Sequence, residues 1–221
     1  PRRARTATPD HTPVGRVVLT GGIATGKSYV LTRFAAFGVP TLDADDLAHD
    51  AQAPGGPAWQ AIRDYFGAEM FDERGYLDRP KLGALVFADA QALATLNRLV
   101  HPHVRAAVTA WFANLAPDTS FGLVAIPLFY EAPRTDVFDH VIVTACQPGR
   151  QISRVVARGL SEPQAQLRID AQLPTAAKVQ RADHVIWTDD THADTDRQVE
   201  ELCHALSRVT SWAAPRGQRI T

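Results

Sequence analysis

Cysteine is nearly missing from this 221-residue chain: Cys146 and Cys203 are the only two, far apart and in no C-x-x-C or Cys/His metal spacing. A disulfide framework and a zinc site are thereby excluded, and both thiols read as buried or idle. Neither sign of charge dominates, since 23 Lys and Arg stand against 24 Asp and Glu, for a net charge of −1 and a pI near 6.8. General binding to nucleic acid or to a membrane surface needs a basic excess, so neither is expected as a partner. No apolar run approaches the roughly 18 consecutive residues of a membrane span. Residues 1–14 hold Arg2, Arg3 and Arg5 but no apolar stretch of the kind a secretory signal carries, and they read as a flexible tail. Asparagine occurs only at Asn97 and Asn114, neither followed by lysine, so the N-K-x-D element that reads guanine in a regulatory nucleotide switch is missing. Asp64-Tyr65-Phe66-Gly67 mimics the D-x-x-G of such switches but lies in a helical region, not after a strand. A small-molecule partner and a reducing cytoplasm are what remain. A hydrophobic content of 45% supports a sizeable core.

The most informative stretch that is present is Gly21-Gly22-Ile23-Ala24-Thr25-Gly26-Lys27-Ser28, which fits the P-loop pattern G-x-x-x-x-G-K-[ST] at every fixed position. It stands between an apolar run at Val17, Val18 and Leu19 and a helical run from Tyr29 onward, the context that the pattern requires. Glycines let successive amide N–H groups point inward as an anion nest, and the following helix adds the positive end of its dipole. Gly22, Ile23, Ala24, Thr25, Gly26, Lys27, Ser28 and Tyr29 are thus the candidate polyphosphate contacts. Lys27 is placed to reach the terminal phosphates, and the Ser28 hydroxyl to bind Mg²⁺.

Around this loop the pattern is α/β. Strands are expected at 16–20, 39–42, 121–126, 138–144 and 183–187, with a helix over 27–37. The result is a five-stranded parallel sheet whose carboxyl edge gathers the ligands. Asp43 and Asp45 follow the second strand and share a side if the extended geometry persists; one of Asp43, Asp45 and Asp46 caps the next helix, and Asp46 is the preferred cap. Residues 47–115 read as several short helices, opened by Pro57, Pro80, a start near Asp89, and Pro102. His101, before Pro102, reads either as an acceptor contact or as a structural residue. The strand at 121–126 empties into Pro127-Leu128-Phe129-Tyr130-Glu131, where Pro127 stands at the place many P-loop enzymes give to a metal-binding Asp. Metal help then falls to Asp45, Glu131 or both. Arg150, Arg154 and Arg158, four apart, line one helix face that either meets water or awaits an anion. Gly159 ends that helix, and Ser161 to Gln164 starts another with a capping-box pattern, as in a hinged lid. A last helix over 194–209 packs on the sheet through Val199, Leu202 and Leu206.

These motifs, in this order, resemble the dephospho-coenzyme A kinases. Leu19-Thr20-Gly21-Gly22-Ile23 with Gly26-Lys27-Ser28 is similar to that family's L-T-G-G-I-x-x-G-K-S, and Asp43-Ala44-Asp45 with Ala48 to its D-A-D-x-x-A. His101-Pro102, the 127–131 stretch, Arg158, Gln172, Lys178 and Ala182-Asp183-His184-Val185-Ile186 follow in the family's order, over residues 15 to 205. The resemblance implies a three-layer P-loop kinase core, an inserted helical substrate lobe and a helical lid. Its boundaries would be 15–46, 116–148 and 182–210 for the core, 47–115 for the lobe, 149–181 for the lid and 211–221 for a C-terminal tail. It implies transfer of the γ-phosphoryl of ATP to the ribose 3′-hydroxyl of dephospho-coenzyme A, with another nucleoside-like acceptor as the alternative. Asp45, Lys27 and Arg158 would be catalytic, with Arg158 also on ATP. Thr20, Asp45, His101, Leu128, Glu131 and Lys178 would face the acceptor, and Ser28, Asp45 and Glu131 the Mg²⁺. The chain departs from the family's pattern at Thr25, Tyr29, His49, Gly159 and Thr188, changes that bear on the adenine side and on lid closure.

Overall fold

The computed structural model describes residues 13–132, 137–209 and 211–212. Five strands form one parallel sheet in the order β2-β3-β1-β4-β5. They are β1 (Gly15–Gly21), β2 (Thr41–Asp43), β3 (Phe121–Ala125), β4 (His140–Ala145) and β5 (His184–Trp187). The near-continuous apolar character of β1, β3 and β4 follows from burial on both faces of a parallel sheet. Val17, Leu19, Phe121, Leu123 and Ile142 face α1 (Lys27–Ala36) and α9 (His192–Ser207) in one core, where Val30, Phe34, Val199 and Leu206 meet them. Their sequence neighbours Val18, Val124, Val141 and Val143 form the core of the other face. This alternation is the period of two that a pleated strand imposes.

Between β2 and β3 lie α2 (Ala44–Gln52), α3 (Trp59–Phe66), a single 3₁₀ turn, α4 (Arg79–Ala88) and α5 (Ala90–Ala113). They enclose a core of their own, with Ala51, Ile62, Phe66, Leu82, Ala92 and Val100 buried together. Asp78 and Asp89 cap α4 and α5 with their side chains, so both starts fall near the expected places. Pro57 instead lies two residues ahead of α3.

Pro102 overturns an expectation. It opens no helix but sits inside the 24-residue α5. A proline there costs about 3 kcal/mol in lost hydrogen bonding and clash. Burying Val100 on one side of it and Val108 and Phe112 on the other outweighs that, at roughly 1.5–3 kcal/mol per side chain. One helix therefore runs from the helical lobe to the underside of the sheet, and the two units are not separate bodies along it.

Between β4 and β5 come α6 (Pro148–Val156), α7 (Glu162–Asp170) and α8 (Thr175–Val179), with Val155 and Ala165 buried against Ala24 of the P-loop. Ser161 and Gln164 form the capping box that starts α7. Among the described residues, no helix is long and apolar enough to cross a membrane. The 1–14 tail lies almost wholly outside the described residues, as do 213–221. Trp212 is described, and it is no part of a tail: it is buried in the α1–α9 core, its ring edge-on to His140 and tilted against Phe121.

At the amino edge of the sheet, His140 Nδ1 and His184 Nε2 stand 3.0 Å apart with rings nearly parallel. Burial, and secondarily the neighbouring His140, hold the His184 imidazole below its ordinary pKa. The folded state thus favours neutral His184, whereas the unfolded chain takes up the proton more readily. Stability from this site is complete above the ordinary histidine value and is lost as pH falls through it. Thermal unfolding followed from pH 8 to pH 5 is expected to show a falling midpoint, and His184→Asn is expected to remove part of that slope.

Candidate functional site

The P-loop emerges from β1, the central strand, at the carboxyl edge of the sheet. Gly26 takes φ 92 as the residue preceding α1, a left-handed value that glycine adopts without penalty. Ala24 takes φ 59 without that licence, at a cost on the order of 1–2 kcal/mol. α1 has no side-chain cap, which leaves the amides of its first turn for an anion. Lys27 is half-buried and Ser28 exposed, both in that turn.

What holds this backbone in place is drawn from four other places in the fold. Thr25 Oγ1 donates to the Gly22 carbonyl at 2.8 Å and shares a 2.8 Å hydroxyl contact with Thr144 at the end of β4, both residues fully buried. Thr188, just past β5, donates to the Thr25 carbonyl at 2.9 Å and receives Arg154 Nη1 at 2.8 Å. From α6, Gln151 Nε2 donates to the Ile23 carbonyl at 2.8 Å. From the α7–α8 turn, Gln172 Oε1 accepts the Ile23 N–H at 2.8 Å. One peptide residue of the P-loop is thus gripped from both sides. Gly22 is required beside it, because a Cβ there would lie 2.7 Å from Gln151 Nε2 and 2.9 Å from Thr175 Oγ1.

The acids divide. Asp43, not Asp46, caps α2: its Oδ1 accepts the Asp45 N–H at 3.0 Å. The strand ends at Asp43 and the helix begins at Ala44, so Asp45 projects from a helical first turn instead of an extended segment. Its side chain reaches solvent, yet enough protein surrounds it that burial raises its pKa, the nearby Asp43 adding to the rise and Lys27 opposing it. Asp45 and Lys27 are therefore within electrostatic reach across the mouth of the loop. Glu131 takes another course. Its Oε1 lies 2.7 Å from Nζ of the fully buried Lys178 and accepts the Leu173 N–H at 3.0 Å. The contact has the separation of an ion pair without the alignment of a hydrogen bond. Glu131 and Lys178 thus meet each other and tie the 127–131 turn to the end of the α6–α8 segment.

Of the remaining candidates, Leu128 is exposed at the same edge, Thr20 is buried with its hydroxyl on the Pro127 carbonyl at 3.2 Å, and His101 is half-buried within α5. The three arginines expected on one helix face are not equivalent, and only Arg150 and Arg154 lie on α6, which ends at Val156 so that Arg158 falls in the turn after it. Arg150 lies 4.0 Å from Asp189, Arg154 is bound to Thr188 and the Ala24 carbonyl, and the exposed Arg158 guanidinium pairs with no group among the described residues. Gly159 has φ 95, so the turn that ends α6 uses a conformation that an acid or amide adopts less readily. A cleft of about 600 Å³ opens beside the loop, with Gly26, Tyr29, Arg154, Arg158, Thr188 and His192 in its lining.

Sequence reasoning passed over Gln151 and Thr144 as parts of the site, and read Arg154 as facing water or an anion where it braces the loop. Gln151 left a readable trace, since it sits four residues before Val155 on the buried face of a helix. A polar residue on such a face needs a partner.

The dephospho-CoA kinase family model matches residues 16–194. A dephospho-CoA kinase of Bacillus cereus is 40% identical over 186 residues, 83% of this chain and 93% of that one. One from Leifsonia xyli is 38% identical over 202 residues, covering 90% and 98%. Among solved structures, TT1252 from Thermus thermophilus superposes with a TM-score of 0.75 at 29% identity, over 88% of this chain and 97% of its own. Dephospho-CoA kinase from Campylobacter jejuni gives 0.63 at 26% identity, over 86% and 96%.

Gln172→Met, nearly isosteric but without an acceptor, is expected to leave the Ile23 N–H unpaired at a cost of about 1–3 kcal/mol. Chemical denaturation is expected to read that loss, and titration with MgATP a several-fold weaker affinity.

Proposed function

The chain belongs to the dephospho-CoA kinase family, ATP-dependent kinases that transfer phosphate to dephospho-CoA, and from that premise we propose how its residues divide the work. The observation that carries the assignment is the electrostatic meeting of Asp45 with Lys27, an acid and a cation from the first turns of two helices at one sheet edge. Donor and acceptor join there. The first-turn amides, Lys27 and Arg158 hold the triphosphate of ATP and neutralise charge as the γ-phosphoryl moves. The acceptor is the ribose 3′-hydroxyl of dephospho-CoA, a poor nucleophile near neutrality. Asp45 orients that hydroxyl and takes its proton. A new oxygen–phosphorus bond forms as the bond to the β,γ-bridging oxygen breaks, and ADP departs. The upward pKa shift of Asp45 makes its carboxylate a stronger base than an ordinary aspartate.

Mg²⁺ would suit the hard oxygen donors at hand, and the exposed Ser28 hydroxyl and the Asp45 carboxylate are the residues that would hold it. When bound it offsets charge on the β- and γ-phosphates. Glu131 is assigned to the buried pair with Lys178, which shapes the acceptor side together with Leu128. Helices α2 to α4 and the first half of α5 serve as the acceptor lobe, and α6 to α8 as the lid. The cytoplasm is the compartment that this reading requires.

In an assay with ATP, Mg²⁺ and dephospho-CoA, beside adenosine and nucleoside monophosphates, dephospho-CoA is expected to turn over fastest by a wide margin; equal turnover of the others would remove the acceptor assignment. Asp45→Asn is expected to lower kcat by about 10²–10⁴-fold while MgATP affinity is mostly kept. Since the ionised carboxylate is the active form, kcat falls as pH falls through the raised Asp45 pKa, and that limb is expected to vanish in Asp45→Asn.

A further inference from the structure

Tyr29 follows the last P-loop residue and has no phosphate chemistry to offer from its ring. That ring instead stacks on His192, with centroids 4.5 Å apart and planes inclined by 21°. Its hydroxyl donates to Asp196 Oδ1 at 2.7 Å, and the same carboxylate oxygen lies 2.8 Å from Arg33 Nε. The phenol is thereby fixed by two residues from the first turns of α9, one against its ring and one on its hydroxyl. His192 is the first residue of α9, held there by the Thr191–Asp194 capping box. One face of its imidazole lies on Tyr29, and the residue is exposed towards the cleft beside the P-loop. Tyr29 and His192 both line that cleft, to which α6 contributes Arg154 and the turn after it Arg158.

We infer that the Tyr29–His192 pair is the base-recognition ledge of the donor pocket: the open face of His192 stacks on the purine ring of ATP, and Tyr29 holds the imidazole flat for it. The inference rests on the donor occupying this cleft and goes beyond it by naming the residues that select the base. The loop amides, Lys27 and Arg158 bind any nucleoside triphosphate equally, so base selection has to come from a group with a flat apolar face. In the cleft lining the pair offers that face, and a ring of purine size gains more from it than a pyrimidine does.

The test is steady-state kinetics and MgATP calorimetry on His192→Ala and His192→Phe, each against ATP and CTP. His192→Ala is expected to raise the KM and Kd for ATP about tenfold, the scale of one base–ring stack, with kcat and the KM for dephospho-CoA changed by less than about twofold. Preference for ATP over CTP is expected to fall in the alanine variant and to return in His192→Phe, which restores a flat ring without the imidazole's polarity. Unchanged ATP affinity in His192→Ala, or an equal loss for ATP and CTP, overturns the ledge. Calorimetry without acceptor separates the two levels. If the unaltered chain binds ATP but fails to phosphorylate dephospho-CoA, the acceptor reading falls and the ledge is still decided by the variant; if it binds no ATP, both fall.

Discussion

An anion nest works only if several amide N–H groups converge on a point where the protein offers them no acceptor, and everything around the P-loop is arranged to sustain that condition. The backbone must take left-handed values at Ala24 and Gly26, and helix α1 must start without a cap. Such a loop would relax if it were held only by its own strand. It is held by hydroxyls from the ends of β4 and β5 and by glutamines from α6 and the α7–α8 turn. Because β1 lies third in a five-stranded order, both kinds of support can reach the loop that leaves it. The placement of the strand is therefore a functional requirement as well as a packing one.

The same constraint explains why many charges that look functional are used to build. Lys178 is fully buried against Glu131, and truncating either partner of such a pair leaves an uncompensated charge. Arg154 is spent on Thr188 and the Ala24 carbonyl, so it braces the loop from behind. Once these are assigned, the charged groups still turned to the open edge are few: Asp45 and Lys27 come from the first turns of two helices, and Arg158 from the turn after α6. The departures at Thr25 and Thr188 fall into place together. The Thr188 hydroxyl donates to the Thr25 backbone carbonyl and receives Arg154, while the Thr25 hydroxyl is engaged with the Gly22 carbonyl and Thr144.

Most of the fold was legible because its signals are local. The apolar runs of β1 and β3, and the aspartates and serine ahead of α4, α5 and α7, act over a few residues, and each reading matched the structure to within a turn. Pro102 was misread because local preference puts proline at a helix start, and only burial on both of its sides reverses that. Asp46 was misread as the cap because the helix begins at Ala44, three residues earlier than a cap at Asp46 would place it. Trp212 was read as tail because no periodicity surrounds it; its partners Phe121 and His140 lie far away in the chain.

The sequence by itself determined the phosphate loop, the order of strands and helices along the chain, and the acid after the second strand, since each depends on residue types at fixed short spacing. Only the tertiary structure decided which of those residues act and which support. That choice depends on burial and on pairings between residues 24 to 163 positions apart, such as Lys178 with Glu131 on the near side of that range and Thr188 with Thr25 at its far end. Desolvation makes an unpaired polar group costly, so each buried one must find its partner across the fold, and the chain order carries no trace of which partner that is.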